Sequence, residues 1–225
     1  MPELSYAGGE LDIFAHAQRW KQYWSAQVTP YIAGDVLEVG AGIGANTPYL
    51  RSATQGRWVC LEPDPELLAR LSETHPDSIL GTLADVADQR FDTILYIDVL
   101  EHIEDDASEL KRATSLLRPG GRIIVLSPAH PWLFSPFDAA IGHFRRYNLA
   151  MLQEISPCPA ERIFYLDSVG LFASAANKLL LKQSMPTLGQ IQTWDRWIVP
   201  ISRGFADRTL GFRAGKTIVG VWKKA

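Results

Sequence analysis

One segment constrains this chain more than any other: Val36-Leu37-Glu38-Val39-Gly40-Ala41-Gly42-Ile43-Gly44-Ala45-Asn46-Thr47. A short apolar run leads straight into alternating glycines and then into a helix-like stretch that reaches about Leu50. Glycine lets the backbone turn sharply and lets a ligand come close to the main chain. Strand, tight turn and helix start, in that order, form the opening unit of an open α/β sheet. Gly40, Gly42 and Ala45 also satisfy the dinucleotide fingerprint, which tolerates alanine at its third position. A ligand-free turn satisfies the same pattern. The turn therefore locates a site without naming what fills it.

The rest of the chain alternates in the same way. Strand-like runs cover residues 57–61, 78–82 (the weakest), 91–97, 122–126 and 217–222. Helical patterns begin at Pro65, with Leu67, Leu68 and Leu71 on one face, and run over 105–117, where acids lead and Lys111 and Arg112 follow. That charge order suits the helix dipole. Pro119-Gly120-Gly121 ends the second helix. The pattern predicts an α/β fold with a doubly wound, mostly parallel sheet. A chain of 225 residues fits one domain. It divides into an N-terminal helical cap over 1–34 that covers one edge, a cofactor-binding core over 35–127, and a substrate lid with C-terminal strands over 128–225. The long loop after residue 128 suggests a binding segment.

Composition excludes several classes. The net charge of −3 does not suggest a nucleic-acid binder. Cys60 and Cys158 form neither a metal spacing nor a disulfide framework. Neither a signal peptide nor a spanning apolar run is seen, so the expected location is cytoplasmic.

Acidic residues narrow the ligand. Glu62 ends the second strand roughly 20 residues past the glycines, a spacing suited to ribose hydroxyls. Asp85 follows the third strand and Asp98 the fourth, at the carboxyl ends where open α/β sheets bind ligands. Solvated loop carboxylates or helix caps would account for any one of them. Together with Val36–Gly44, Leu61-Glu62-Pro63-Asp64, Ala84-Asp85-Val86, residues 91–103 and residues 116–125, they give the chain its resemblance. It resembles class I S-adenosylmethionine-dependent methyltransferases of the small-molecule type, similar to quinone-biosynthesis enzymes. Glu38 directly before the glycines distinguishes that family from dinucleotide binders. The resemblance implies a doubly wound, mostly parallel, seven-stranded Rossmann-like sheet, and that Glu38, Gly40 and Gly42 hold the methionine end of S-adenosylmethionine. It implies that Glu62, with Pro63 and Asp64 beside it, takes the ribose, that Asp85 and Val86 meet the adenine, and that the main chain from Ile97 through Asp98 to Val99 lies by the amino group. S-adenosylhomocysteine would be the product.

Methyl transfer is in-line displacement, in which the protein supplies position. No metal is required, and no ligand cluster is legible in the sequence. A base is needed only where the acceptor must lose a proton, and His102, His130 and His143 are candidates. The segment Gly142-His143-Phe144-Arg145-Arg146-Tyr147 recurs in chains resembling this one. It points to His143, with His102 second, as catalytic, and to His130, Arg145, Arg146 and Tyr147 as substrate contacts. A helix start with surface arginines is the structural alternative. The Asn/Asp-Pro-Pro-aromatic signature of base-amine methylation is missing after the fourth strand. The expected acceptor is a small molecule or a lipid- or glycan-linked group, methylated at oxygen, with carbon and nitrogen as alternatives. The tail, with Leu171-Phe172, Leu179–181, residues 194–201 and Lys178, Lys182, Arg196 and Arg203, packs as a lid or rests peripherally on a membrane. Two competing classes are an NAD(P)-dependent oxidoreductase, for which no Tyr-x-x-x-Lys is found, and a non-catalytic module that only binds S-adenosylmethionine.

Overall fold

The computed structural model describes residues 9–176, 178 and 186–225. The expected Leu179–181 run and Lys182 therefore lie outside the described residues. Seven strands form one sheet: β1 (Val36–Val39), β2 (Trp58–Glu62), β3 (Ile79–Leu80), β4 (Phe91–Ile97), β5 (Leu117–Pro128), β6 (Ala160–Leu166) and β7 (Thr217–Lys223). Their order is β3-β2-β1-β4-β5-β7-β6. Strands β1 to β5 run parallel, and β7 lies antiparallel to both β5 and β6. Helices cover both faces, which is why β1 and β4 read as mostly apolar runs, interrupted by Glu38 in the one and by Asp92 and Thr93 in the other, rather than as alternating ones. Every residue of β1 is buried.

Alternate residues of each strand feed two cores. Leu37, Val39, Ile94, Tyr96, Ile123, Val125 and Trp222 pack on one side. Val36, Leu95, Ile97, Ile124, Leu126, Val219 and Val221 pack on the other, against Trp20, Tyr23 and Trp24 of α2 (Gln18–Val28). The N-terminal aromatics thus cover a face of the sheet rather than its edge. An edge strand is too narrow to bury three large rings, whereas a face supplies several alternating rows.

The strand list also changes. Strand β5 starts at Leu117, not Arg122, and Phe91 and Thr93 pair with Leu117 and Arg122 around a loop-out that holds Gly120 at φ 79°. The proline-glycine segment is therefore an irregularity inside a strand. Strand β6 is not legible in the pattern, because its first residues are exposed and only Phe164 and Leu166 are buried. The parallel strands are joined by α3 (Thr47–Leu50), α4 (Pro65–Ser72) and α5 (Asp106–Leu116), with α1 (Gly9–Ala15) preceding α2. The lid adds α6 (Pro136–Ala140) and α7 (Leu149–Glu154). After β6 come α8 (Ser168–Ala176) and a helical run of α9 (Leu188–Thr193), α10 (Val199–Ile201) and α11 (Asp207–Thr209), joined by π-helical stretches at Trp194–Ile198 and Ser202–Ala206.

Candidate active site

The carboxyl ends of the strands open into a cavity of about 1720 Å3. Small-molecule sites are usually about 300–1,000 Å3, so this one has room for two ligands. Gly40 to Ile43, Glu62 to Pro65, Asp98 and Val99 line one part, and Leu133, Phe137, His143 and Arg146 line another.

At the first part the glycines meet a steric demand. Gly40 and Gly42 have φ of 63° and 59°, a region that side chains disfavour. A Cβ on Gly40 would also come within 2.8 Å of the Val99 methyls. The Gly42 N–H donates to Glu62 Oε2 at 2.7 Å, and the Asp64 N–H donates to Glu62 Oε1 at 3.0 Å. One carboxylate thus ties the turn after β1 to the turn after β2. Glu62 is 4% exposed, and burial raises its pKa against the pull of the two backbone donors. Pro63 and Asp64 reach the cavity wall too. Asp64 Oδ1 is engaged in capping α4, accepting from Glu66 and Leu67 N–H.

Glu38, Asp85 and Val86, expected at the cofactor, are not among the cavity-lining residues. Glu38 lies behind the turn, where Oε2 accepts from Thr47 Oγ1 at 2.8 Å and Trp58 Nε1 at 3.0 Å. It braces β1 against α3 and β2. Asp85 accepts from the Thr82 N–H at 2.8 Å and closes its own turn. Val86 is fully buried in the core. The short Asp85 side chain, satisfied by a local backbone group, turns to it, Glu38 turns to side-chain donors on α3 and β2, and spacing alone reveals neither.

Asp98 stands where the regions meet. Its φ is 55°, and its N–H donates to Leu126 O at 2.8 Å. The side chain is exposed to the cavity. Burial pushes its pKa up to about 6 against the opposing charges of His143, Lys216 and Lys21. Lys21 Nζ donates to Ala45 O at 3.0 Å, and burial lowers its pKa to about 8.

His143 is built into a chain of groups. Its Nδ1 lies 3.1 Å from Asp138 Oδ1 and its Nε2 lies 3.9 Å from Glu101 Oε1. Arg146 grips Asp138 with two bonds, Nε to Oδ1 at 2.7 Å and Nη2 to Oδ2 at 3.0 Å. Burial works against the Asp138 carboxylate, but the bonds from His143 and Arg146 outweigh it and hold its pKa well below the usual range. An ionised Asp138 accepts the Nδ1 proton, which leaves Nε2 as the basic nitrogen by hydrogen-bond logic. His102 lies edge-on, 4.5 Å from His143 between ring centres. Burial, then His143, lowers the His102 pKa to about 4, so it is neutral at pH 7. Glu101 Oε2 accepts from Ser127 Oγ at 2.8 Å, while the buried Oε1 has no hydrogen-bond partner. Burial raises the Glu101 pKa strongly. Glu101, His102 and His143 each offer a ligand atom, all within 4.8 Å of one another. The fold thus assembles a set able to take a cation that the sequence did not disclose.

The Gly-His-Phe-Arg-Arg-Tyr segment divides. His143 and Arg146 line the cavity, whereas Arg145 and Tyr147 do not. Arg145 Nη1 and the Tyr147 hydroxyl both donate to Asp106 Oδ2 at 2.7 Å, at the start of α5. Tyr147 N–H bonds Pro128 O, so the chain is extended there and neighbouring side chains face opposite ways. His130 also lies off the cavity wall. Its Nε2 is 2.9 Å from Gly215 O, and its ring stacks on Tyr165 with centroids 5.2 Å apart. Lys21, Asp138 and Lys216 escaped the sequence reading. A Ser135-Pro-Phe-Asp138 capping box was the one local signal available for Asp138.

Comparison with known proteins agrees with this geometry. Residues 37–125 match the family model described as a methyltransferase domain. The chain is 30% identical over 148 residues to a protein of Mycolicibacterium smegmatis described as a probable S-adenosylmethionine-dependent methyltransferase, covering 63% of this chain and 56% of the relative. It therefore spans just over half the length of that relative. It is 28% identical over 163 residues to demethylmenaquinone methyltransferase of Tropheryma whipplei, covering 69% of this chain and 67% of the relative. A solved S-adenosylmethionine-dependent methyltransferase of Thermotoga maritima superposes with a TM-score of 0.67 at 16% identity, covering 98% of this chain and 96% of that one. At that identity the likeness is one of fold.

Proposed function

We propose that this chain, a member of the S-adenosylmethionine-dependent methyltransferases, moves the cofactor's methyl group to a hydroxyl oxygen of a small acceptor with an apolar body. The observation that carries this reading is that one cavity joins the Gly40–Gly42 turn and Glu62 to the Asp138–His143 pair.

S-adenosylmethionine supplies an electrophilic methyl on a sulfonium leaving group. Gly40 and Gly42 leave the main chain open to it. Glu62 holds ribose hydroxyls with the acceptor capacity left over from its two backbone bonds, with Pro63 and Asp64 beside it. Asp98 and the Val99 main chain face its amino group. The sulfonium charge is lost in the reaction, so carboxylates serve best on ribose and amine rather than at sulfur. His143 Nε2 takes the acceptor proton while Asp138 fixes the ring and steadies the imidazolium, the division of roles known from hydrolase triads. Neutral His102 packs against His143 and limits its motion. Leu133, Phe137, Ile141 and Phe144, which line the cavity, exclude water and hold the apolar body. A relative named for demethylmenaquinone supports an acceptor of that apolar kind.

The reading includes peripheral contact with a membrane, for a small or lipid-linked acceptor. Trp197, Ile201 and Phe205 stand exposed four residues apart on the helical run, beside exposed Arg196, Arg203 and Arg208. Such a face suits an anionic lipid surface. Among the described residues, no helix is long and apolar enough to cross a membrane.

Calorimetric titration with S-adenosylhomocysteine and NADH tests the cofactor, since binding of NADH alone would overturn the reading. A labelled-methyl screen over phenols, quinols and polyprenyl-linked sugars tests the transfer. Tight cofactor binding with no methylated product would favour a non-catalytic module.

A further inference from the structure

The cations that line the cavity are not equally engaged. Lys21 donates to the Ala45 carbonyl, Lys178 donates to the Trp132 and Phe134 carbonyls, and Arg146 is held by Asp138. Lys216 differs. It lines the cavity with its side chain 21% exposed, and it meets Asp167 Oδ2 at 3.7 Å, beyond hydrogen-bond reach. Asp167 is already satisfied: Oδ1 accepts from Ser202 Oγ at 2.6 Å and Gly170 N–H at 3.0 Å, and Oδ2 accepts from Trp194 Nε1 at 2.7 Å. The Lys216 ammonium instead rests on the Trp194 ring, 3.5 Å from its centroid. A cation over an aromatic face is held in place while its N–H groups stay available. Burial, joined by the charge of Arg146, lowers its pKa against the pull of Asp167 and Asp98, and an incoming anion would add to that pull.

Its place in the sheet gives a length. Lys216 immediately precedes β7, and its carbonyl accepts from the Ala129 N–H beside the end of β5. The sheet order β1-β4-β5-β7 puts β7 two strands from β4, which carries Asp98, and three from β1, which carries the glycine turn. Neighbouring strands are about 4.8 Å apart, so the backbone at Lys216 lies roughly 10 Å from that of the β4 end and 14 Å from that of the β1 end. The cofactor's residues occupy β1, β2 and β4. The space over β5 and β7 is left for the acceptor.

We infer that Lys216, seated on Trp194, is an anion-binding point of the acceptor site, so that the acceptor carries a carboxylate or phosphate at a point apart from the hydroxyl that receives the methyl group. The position of that hydroxyl rests on the transferase reading. The apolar wall of Leu133, Phe137 and Ile141 covers the body between the two ends.

The test uses the full chain loaded with S-adenosylhomocysteine and titrated calorimetrically with three probes: 6-hydroxy-2-naphthoate, 6-hydroxy-2-naphthyl phosphate and neutral 6-hydroxy-2-naphthamide. At least one anion should bind about tenfold more tightly than the amide, the size of a charge-assisted bond, and the tighter of the two tells carboxylate from phosphate. Lys216→Met should bring the anions down to the level of the amide, and Lys216→Arg should keep the preference. Equal binding of anions and amide by the wild type would overturn the assignment, as would a preference that survives in Lys216→Met or no binding by any probe to the loaded protein. Should Lys216→Met fail to fold, the wild-type and Lys216→Arg comparisons still decide. Failure to bind S-adenosylhomocysteine itself would instead overturn the transferase reading.

Discussion

Glu62 offers the sharpest test of the cofactor assignment, because the structure gives it two duties that substitutions can separate. Its carboxylate accepts from the Gly42 and Asp64 N–H groups and is 4% exposed. In Glu62→Ala both buried donors lose their acceptor, at about 1–3 kcal/mol each. That predicts a fall in Tm of roughly 4–24 °C for a chain of this size. Glu62→Gln keeps one amide oxygen as an acceptor and removes a charge whose burial is unfavourable, so it should lose much less stability. Its effect on the ligand is different. A hydrogen bond to an ionised acceptor contributes about 1.5–3 kcal/mol, so losing the charge at the ribose should weaken S-adenosylhomocysteine about 10- to 150-fold. Calorimetric titration at neutral pH reads the affinity, and scanning fluorimetry confirms the fold. If folded Glu62→Gln binds S-adenosylhomocysteine within about threefold of wild type, Glu62 braces the turns and does not grip the ribose.

Other perturbations divide binding, base chemistry and support. Asp98 has its pKa raised to about 6, so S-adenosylhomocysteine affinity should decline as pH falls through about 6, and Asp98→Asn should flatten that profile at a lower affinity. Because the shift is upward, the stability linked to Asp98 is present below its ordinary value of 3.8 and lost as pH rises through about 6. Asp98 is exposed to the cavity, so solvent screening keeps this effect small; the ligand-free Asp98→Asn protein should melt no lower than wild type above neutrality, and a lower melting point would contradict the upward shift. His143→Ala should cut turnover by about 10²–10⁴-fold with cofactor affinity unchanged, and an equal fall in both would make the residue structural. Asp138→Asn should lower turnover and also Tm, because Arg146 and Ser135 lose the same carboxylate. Glu38→Ala leaves the Thr47 and Trp58 donors without their acceptor. It should cost about 2–5 kcal/mol of stability, measured by denaturant titration, which a role confined to ligand contact would not produce.

What the sequence disclosed depended on how local the cause was. Gly40 and Gly42 were legible because positive φ is a property of the residue itself, and β1 and β4 because burial on both faces leaves a mostly apolar run. Glu62 was legible because strand length fixes the distance from the glycine turn to the end of β2. Locality fails at β6, whose exposed start follows the needs of a sheet edge. It fails again at Arg145 and Tyr147, where an extended backbone bonded to Pro128 sends alternate side chains away from the cavity and into Asp106. A motif read as one substrate-binding unit thus serves two purposes. One half faces the ligand space, and the other fastens the lid to α5. The same reasoning explains why Asp138 and Lys216 were missed. Asp138 matters because Arg146, eight residues on, folds back onto it, and Lys216 because Trp194 and Asp167 come from other elements to seat it. The cofactor end arises from neighbours in sequence and reads as a motif. The acceptor end is assembled from α6, β7 and the helical run after β6, so the groups that choose the acceptor come together only in three dimensions.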